Sequence, residues 1–482
     1  MNATIDASPT PARPLRPNLV LAICCLSLLM VSMDATIVNV ALPSIRRDLV
    51  ASIPDLQWVI DAYTLVVASL LMLAGSMADR YGRRRIFQAG MSLFMLGSLL
   101  CSLAADIHSL IAFRVVQALG ATMLNPVAMS IIANTFVEPK ARARAIGFWG
   151  AVAGISMALG PLVGGALTQS IGWRSIFWIN LPIGAAAIAL AAVYIPESKA
   201  PRARRVDPIG QVLVFTALAS LIYAVIEGPR MQWDSAAIIG LFATSLAAVI
   251  ALLIYEPRRV DALIDPRFFR SLPFSSAAVI AICSFAAFGG FLFLNALYLQ
   301  QVRGLSAFHS GLYTLPLALA TLICSPLSGR LVGSYGTRPS LLIAGAAIAL
   351  SAFMLTHLHA DSDFWTLMLA YVIFGIGFGA VNAPITTTAV SGMPKAQAGV
   401  AAAIASTSRQ VGASLGVALA GTIAGTQAAA GSSFAEATHA FWWCITGAGI
   451  VVFALGLFST SGWARESARR AAHLLEEATP AK

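Results

Sequence analysis

The sequence predicts an all-α integral membrane protein with fourteen transmembrane helices. Of its 482 residues, 58% are hydrophobic and only 11% are charged, whereas a soluble domain is usually about 25% charged. Fourteen stretches are apolar over the ~20 residues that a helix needs to cross a bilayer. A ten-residue loop sequence also occurs twice, which divides the chain into two related halves.

The predicted spans follow one another with short loops between them. Glycine and proline inside several spans do not oppose helix formation, because both are commoner in membrane helices than in soluble ones. We expect the first span to be retained rather than cleaved as a signal peptide, because its apolar stretch is too long. The predicted cores are 19–42, 57–78, 87–105, 109–133, 146–169, 175–195, 209–227, 236–255, 275–299, 311–332, 339–358, 365–390, 398–425 and 441–459.

The distribution of Lys and Arg predicts the orientation. Most of the 31 basic residues fall in the tails and in alternate loops, all on one side if the span count is even. Cytoplasmic loops carry such an excess, so we expect a multi-pass protein of the cell membrane with both termini in the cytoplasm. The loops on the other side hold only Arg46, Arg47, Arg174, Arg230 and Arg303.

The repeated loop divides the chain. Gly75–Arg84 joins spans two and three, and a weaker copy, Gly329–Arg338, joins spans ten and eleven. If these loops are equivalent, each half has six helices, and spans seven and eight form an extra central pair. Transporters are commonly built from such repeats. The predicted parts are a disordered cytoplasmic tail at 1–17, a six-helix bundle at 18–200, the extra helices at 201–258, a second bundle at 270–460 and a cytoplasmic tail at 461–482.

The most informative residue is Asp34, the one charged residue between Leu19 and Ile45. A carboxylate in hydrocarbon costs roughly 3 kcal/mol or more, so it must face protein, water or a ligand. Asp61 and Arg114 lie at similar depth in spans two and four. We expect Asp34 and Arg114 to face a central cavity and to interact, directly or through water, with Asp34 binding and releasing protons. The alternative is a permanent buried ion pair that orients two helices.

Three further charged residues leave alternatives open. Asp61 is a further candidate for proton coupling: it could bind cations, or it could simply reach external water. Arg409, in span thirteen, could contact the Gly75–Arg84 loop, contribute to the field of the cavity, or cap carbonyl groups of a neighbouring helix. Glu227, before Gly228-Pro229, is expected to be a solvated loop carboxylate.

Composition and motifs argue against other classes. The formal charge of +10 is spread over short loops without a continuous basic face, so no nucleic-acid partner is predicted. The chain has no GxxxxGK[ST] loop, no HExxH and no Ser/His/Asp set, and its six cysteines lack metal spacing. We therefore expect neither an enzyme nor a cofactor. A membrane-embedded channel is an alternative of another class, and ATP-independent transport that an uncoupler abolishes would distinguish an antiporter from it.

Four motifs carry a resemblance to a known family. The segment Asp34–Pro43 fits D-x-T-x-x-N-x-A-L-P, with Asn39 at the Asn position, and Gln117 follows Arg114 by three residues. Span five carries a pattern of small residues around a proline, formed by Gly147, Ser156, Gly160, Pro161 and Gly164. The loop motif consists of Gly75, Asp79, Arg80, Gly82, Arg83 and Arg84. Together these motifs resemble the major facilitator superfamily, and more narrowly its fourteen-helix drug:proton antiporter branch.

The resemblance covers nearly the whole chain and implies the major facilitator fold and alternating access. It also implies that the loop is a hinge and gate, with Asp79 as a latch, and that the span-five motif forms a tight seam between helices. Two positions depart from the family pattern, Ala118 and Ser156, where glycine is usual.

The predicted function is proton-coupled export of amphipathic, often cationic, drugs, with protons and a small molecule as partners and lipid around a monomer. The alternatives are a dedicated exporter of one metabolite or self-made antibiotic on the same fold, and a facilitator importer, which Asp34 and Gly160-Pro161 disfavour.

Overall fold

The computed structural model describes residues 16–199, 207–259, 265–394, 397–429 and 433–477. Within these ranges the regular structure is helical, with no strand. Most of the predicted tail at 1–17, residues 201–206 and the last five residues lie outside the described ranges.

The first half contains eight helices that make six spans. Spans four and six are each built from two helices, and in span four the second piece begins at Asn125-Pro126, where proline cannot continue the backbone hydrogen bonding. The helices are α1 (Pro17–Asp48), α2 (Ile53–Tyr81), α3 (Arg83–Ser102), α4 (Ile107–Thr122), α5 (Asn125–Thr135), α6 (Pro139–Ser170), α7 (Ser175–Trp178) and α8 (Asn180–Tyr194).

Two extra helices and the second half complete the membrane region. The extra pair is α9 (Pro208–Met231) and α10 (Ala236–Tyr255). The second half consists of α11 (Leu272–Leu297), α12 (Ala307–Tyr335), α13 (Thr337–Leu355), α14 (Phe364–Val390), α15 (Ala398–Ala429), α16 (Phe434–Ala437) and α17 (His439–Phe458). Two short 3-10 helices, Glu256–Arg258 and Pro266–Arg270, precede it, and a π-helical turn, Tyr298–Val302, extends α11.

The prediction of an all-α membrane fold is confirmed, and the structure is compatible with fourteen spans. Thirteen helical segments of the described chain are long and apolar enough to cross a membrane. The remaining predicted span, span thirteen, is α15, a helix of 32 residues that is rich in Gly, Ala, Ser and Thr. It packs along α11 and α2, so it lies inside the bundle.

The repeated loop has the same backbone function in both halves. Gly82 ends α2 with φ +114° and Gly336 ends α12 with φ +78°, and the next helix begins at the following residue in both cases. Only glycine adopts such values without strain. This explains why the Tyr-Gly pair recurs.

The halves contact each other mainly through two helix pairs, α6 with α12 and α2 with α15, and less extensively between α1 and α11. We call the end of the bundle that carries the 79–85 loop the basic face, and the other end the opposite face. Near the opposite face the contact is tight: a Cβ on Gly165 would meet the backbone of Ala307, and one on Gly311 would meet that of Pro161. Nearer the basic face, a Cβ on Gly147 or on Gly329 would meet nothing within 4 Å. The contact between α6 and α12 is therefore tight near the opposite face and looser toward the basic face, and we call the space between the halves there the cleft.

The two extra helices lie beside this boundary. The helix α9 contacts both α2 and α15, and α10 packs on α9 with many exposed apolar side chains. The Thr422 hydroxyl donates to the Val225 carbonyl at 2.8 Å, and Gln211 donates to the Ser69 carbonyl. The extra pair thus bridges the two halves on one flank.

The predicted tail at 461–482 contains a helix, α18 (Gly462–Glu477). Its small and apolar face, Ala464, Ala468, Ala471 and Leu475, is buried, and the Leu272 backbone N–H donates to the Ser467 hydroxyl at 3.0 Å. It is therefore a packed surface helix at the basic face.

Candidate functional site

Asp34 forms a direct ion pair with Arg114. The Arg114 Nη1 lies 2.6 Å from the Asp34 Oδ2, and each residue is 1% exposed. The helices α1 and α4 carry them to the same depth, as the sequence predicts. They do not face the cleft in this conformation, which corrects that part of the expectation: the pair lies inside the first half.

Amide side chains complete the shell around Asp34. Gln117 Nε2 donates to Asp34 Oδ1 at 2.8 Å, and Asn180 Nδ2 donates to the same oxygen at 3.2 Å. Both amides also donate to the hydroxyl of Ser98, at 2.8 and 3.1 Å. The network therefore joins α1, α3, α4 and α8. Sequence reasoning missed Ser98 and Asn180, whose only signal was a polar residue within an apolar run.

Arg114 is held on its other sides as well. Its Nε donates to the Val59 carbonyl at 3.1 Å, its Nη1 donates to Gln117 Oε1 at 2.6 Å, and its guanidinium lies 4.2 Å from the ring centroid of Tyr63. A Cβ on Gly97 would overlap the backbone of Gln117, so α3 and α4 approach closely there. A buried cation needs a charge partner and further hydrogen bonds, and this site provides both.

Asp61 lies at the contact between α2 of the first half and α15 of the second half, which we call the joint. It is fully buried, at 0% exposure, and its Oδ1 accepts hydrogen bonds from Ser414 Oγ of α15 at 2.7 Å and from Thr64 Oγ1 at 3.2 Å. Its Oδ2 has no hydrogen-bond partner among the described residues, and no Lys, Arg or His there lies within 4.0 Å of it. The expectation that Asp61 reaches external water is therefore wrong for this conformation.

Further hydrogen bonds connect the two halves between the joint and the opposite face. Gln57 Nε2 donates to the Ala418 carbonyl at 2.6 Å, and Gly421 leaves the space that the Gln57 side chain fills. Between α1 and the turn after α11, Gln300 Nε2 donates to the Val40 carbonyl at 2.8 Å. These contacts separate the cleft from a depression of about 1110 Å³ on the opposite face.

The span-five motif is divided between two packing contacts. A Cβ on Gly160 would overlap Thr36, and one on Gly164 would overlap Ile37, so these glycines admit α1. Pro161 faces α12 at Gly311. Gly147 is exposed and contacts neither helix, so the tight seam covers only the part of α6 toward the opposite face.

The loop motif forms a compact cap on α3. Asp79 Oδ1 pairs with Arg83 at 2.9 Å, whereas Arg80 is exposed and lies near the Tyr81 ring. The key partner is Glu197, which sequence reasoning missed. Its carboxylate accepts the backbone N–H groups of Arg84 at 3.1 Å and of Arg85 at 3.2 Å. An acidic group there satisfies free donors at a helix start and complements the helix dipole.

Two glycines of the loop motif differ in their surroundings. A Cβ on Gly82 would overlap the carboxylate of Glu197, whereas a Cβ on Gly75 would meet nothing within 4 Å. Arg84 also donates to the Ile195 carbonyl at 3.3 Å. The loop is thus fastened to the segment after α8, within the first half.

Arg409 contacts the second half only. Its Nη2 donates to Thr386 Oγ1 at 2.6 Å and to the Asn382 carbonyl at 3.3 Å, and its guanidinium lies 5.9 Å from the Phe285 ring. The carbonyl contact matches the capping alternative. No contact with the Gly75–Arg84 loop occurs among the described residues.

Two other polar residues are buried in ways that the sequence did not indicate. Glu227 is 6% exposed, accepts the Trp58 indole N–H at 3.1 Å and pairs with Arg230, so its assignment as a solvated loop residue is wrong. The helix α9 continues through Pro229 and buries it. Asn39 donates to the Ala35 carbonyl of its own helix at 3.3 Å.

Residues 24–417 match the family model of the Major Facilitator Superfamily. The chain belongs to this superfamily. It is a multi-pass membrane transporter, which agrees with the two related halves, the glycine-ended loops and the buried charges described above.

Several named members of the superfamily are similar to this chain over most of its length. The multidrug resistance protein Stp of Mycobacterium tuberculosis is 39% identical over 81% of this chain and 72% of its own length. The tetracenomycin C resistance and export protein of Streptomyces glaucescens is 34% identical over 84% of this chain and 76% of its own. The puromycin resistance protein of Streptomyces alboniger is 36% identical, with coverages of 80% and 78%.

Solved structures show the same fold. A D-xylose–proton symporter matches with a TM-score of 0.66 at 14% identity, over 92% of this chain and 97% of its own. A bacterial homolog of the human lysosomal transporter spinster matches with a TM-score of 0.61 at 19% identity, over 98% of this chain and 100% of its own.

The two departures from the superfamily pattern are accommodated by packing. Ala118 is completely buried in the core of the first half. Ser156 is also buried, and its hydroxyl donates to the Val152 carbonyl of its own helix at 2.6 Å. Ala118 therefore adds only a buried methyl group, and the buried hydroxyl of Ser156 has a hydrogen-bond partner.

Proposed function

We propose that this protein is a proton-coupled antiporter that exports amphipathic small molecules, antibiotics among them, by alternating access. Relatives named for multidrug resistance, drug efflux and antibiotic resistance support the substrate class. The superfamily fold, with its cleft between two halves, supports the transport mode.

The observation that carries the coupling is Asp61 at the closed joint. An ionised carboxylate without a cation is expensive to bury, by several kcal/mol. The protonated acid avoids most of this cost and still accepts the hydrogen bond from Ser414. The closed joint therefore favours protonated Asp61, and an open joint, which admits water, favours ionised Asp61.

This preference gives an exchange cycle. With the cleft open at the basic face, Asp61 loses its proton to that side as cargo binds, and the charged carboxylate weakens the joint. The halves then open at the opposite face and release the cargo. Protonation of Asp61 from that side allows the joint to close again. In each cycle Asp61 carries one proton inward while cargo moves outward.

Asp34 has a different part in this proposal. Arg114, Gln117 and Asn180 all donate to its carboxylate in a closed interior, which stabilises the ionised form. We infer that the pair holds α1, α3, α4 and α8 in one arrangement and so positions α2 beside the joint. Asp34 as proton carrier is the alternative, and the variants described in the Discussion distinguish the two.

The membrane orientation follows from charge. Lys and Arg crowd the loops of the basic face, so this face is cytoplasmic by the positive-inside rule. The cleft then opens to the cytoplasm, from which cargo enters, and both chain ends lie in the cytoplasm. The monomer contains both halves of the cleft, so no second subunit is required.

A dedicated exporter of one compound is the second candidate. Relatives named for resistance to a single antibiotic, such as methylenomycin A and puromycin, favour it as much as the multidrug relatives favour breadth. A panel of structurally unrelated compounds separates the two: one strong substrate indicates dedication, and several comparable ones indicate multidrug transport.

Purified protein in lipid vesicles tests the proposal. An imposed pH gradient should drive dye transport without ATP, and a protonophore should abolish it. Transport that persists at full rate without any proton gradient, and against a dye gradient, would contradict it.

A further inference from the structure

Arg409 is a cation without a counterion inside the second half. None of the helices α11, α12, α14 and α15 contains an Asp or Glu. Among the described residues, no carboxylate lies within 4.0 Å of Arg409, and its Nε has no hydrogen-bond partner. An arginine without a counterion is costly at membrane depth. Such residues usually mark a substrate or ion pathway.

Aromatic rings lie beside this guanidinium. Phe285, over which Arg409 lies, packs edge-on against Phe378 at 5.1 Å between centroids. Phe378 in turn stacks on Phe288 at 4.1 Å with an interplanar angle of 7°. Flat rings in this arrangement favour a further planar ring, because offset stacking and edge contacts are the preferred aromatic geometries.

The aromatic stack borders the boundary between the halves. Phe288 and Phe378 line a cavity of about 20 Å³ together with Gly154, Met157 and Pro161 of α6. This space holds about one water molecule, and it lies where α6 and α12 begin to diverge toward the basic face. Phe288 and Phe378 are 7% and 1% exposed, so a ring reaches the stack through this cavity when the two halves move apart.

The other charged groups of the packed helices do not cancel Arg409. In α6, the basic residues lie in the first turns at the basic face, and it has no acidic residue. Asp34 is neutralised by Arg114, and Asp61 is turned into the joint with Ser414. This part of the second half therefore combines a largely buried aromatic stack with a cation that has no carboxylate within 4.0 Å among the described residues.

We propose that the cleft binds planar aromatic molecules that carry a carboxylate or phenolate, with the rings on the Phe288–Phe378 stack and the anionic oxygen on Arg409. This inference rests on the proposed export function and specifies its substrate class. It differs from the sequence-based expectation of often cationic cargo, because a cation would be repelled by Arg409 and would find no carboxylate within 4.0 Å of it among the described residues.

Two dyes with the same fused xanthene ring system test the charge preference: fluorescein, which is anionic, and rhodamine 123, which is cationic. Binding to the purified full-length protein in detergent is followed by fluorescence anisotropy. Wild-type protein should bind fluorescein more tightly. Arg409→Gln should weaken fluorescein binding by about tenfold, which corresponds to about 1.4 kcal/mol, and Arg409→Lys should restore part of it. Phe288→Leu should weaken the binding of fluorescein through lost stacking.

Arg258→Gln is the matched control, because Arg258 is exposed in the 3-10 helix after α10 and donates to the nearby Ile254 carbonyl at 2.8 Å. It should leave the ratio of the two affinities at the wild-type value. The inference is overturned if wild type prefers rhodamine 123, or if Arg409→Gln binds fluorescein within twofold of wild type. If fluorescein binding depends on Arg409 but no proton gradient drives dye transport, the site stands and the coupling proposal fails.

Discussion

The hydroxyl of Ser414 donates a 2.7 Å hydrogen bond to Oδ1 of Asp61, and this bond connects the two halves of the transporter. Asp61 is fully buried, and no cationic side chain of the described residues lies within 4.0 Å of its carboxylate. A joint built on such a carboxylate is sensitive to protonation, whereas the ion pair of Asp34 and Arg114 is not placed between moving parts.

The joint should respond to pH through Asp61. Because the closed joint needs the neutral acid, low pH should favour closure at the opposite face and rising pH should favour separation. Spin labels on Pro54→Cys and Gln427→Cys, in a background without the native cysteines, should show a distance that increases with pH. With Asp61→Asn added, the short distance should persist at all pH values tested; a wild-type pH response in that variant would refute the role of Asp61.

Loss of one partner of the buried ion pair should destabilise the protein strongly. Asp34→Asn leaves Arg114 with an uncompensated charge, and breaking a buried pair costs about 3–5 kcal/mol. Thermal unfolding in detergent should show a large fall in midpoint. The double variant Asp34→Asn with Arg114→Gln should recover part of the loss, because it removes the orphaned charge. A single variant as stable as wild type would show that the pair contributes nothing to packing.

Glycine at the α1–α6 contact should be required for close approach. Gly160→Ala places a methyl group on Thr36, and overpacking costs typically about 1–3 kcal/mol. Gly147→Ala is the matched control in the same helix, since its Cβ meets nothing within 4 Å. It should be neutral or slightly stabilising, because alanine is the better helix former. Equal unfolding midpoints for the two variants would contradict the seam.

Glu197 should stabilise the loop motif through the start of α3. Glu197→Ala removes the acceptor for the backbone N–H groups of Arg84 and Arg85, and loss of a helix cap costs about 1 kcal/mol. Hydrogen exchange should become faster at the first turn of α3. Glu138→Ala, an exposed residue before α6 whose side chain makes no capping bond, is the control. Unchanged exchange at Arg84 and Arg85 would show that the carboxylate is not their acceptor.

The sequence predicts the fold and one contact of the site well. Span lengths and the Tyr-Gly repeat depend on local properties, and Asp34 and Arg114 could be paired because equal depth brings them to one layer. Asn180 also lies at the depth of this pair, but the local sequence does not show which face of α8 turns toward α1.

Other features depend on long-range packing that a single sequence does not encode visibly. Asp61 and Ser414 are separated by 353 residues, and their contact requires the relative placement of the halves. Glu227 precedes a Gly-Pro pair, which indicates a loop in soluble proteins, but α9 passes through Pro229 and carries Glu227 into contact with Trp58. Glu197 follows a proline outside any span, so only the fold brings it to α3.

The central claim is that Asp61 carries the proton that exchanges against cargo. The most direct measurement is substrate-driven proton flux into vesicles that contain a pH-sensitive dye. Three proteins are compared: wild type, the single variant Asp61→Asn, and the double variant Asp34→Asn/Arg114→Gln. Wild type should move protons when substrate is added, and Asp61→Asn should exchange labelled for unlabelled substrate without moving protons. Proton flux in Asp61→Asn that equals wild type, together with loss of flux in a folded Asp34→Asn/Arg114→Gln protein, would contradict the account and assign the proton to Asp34.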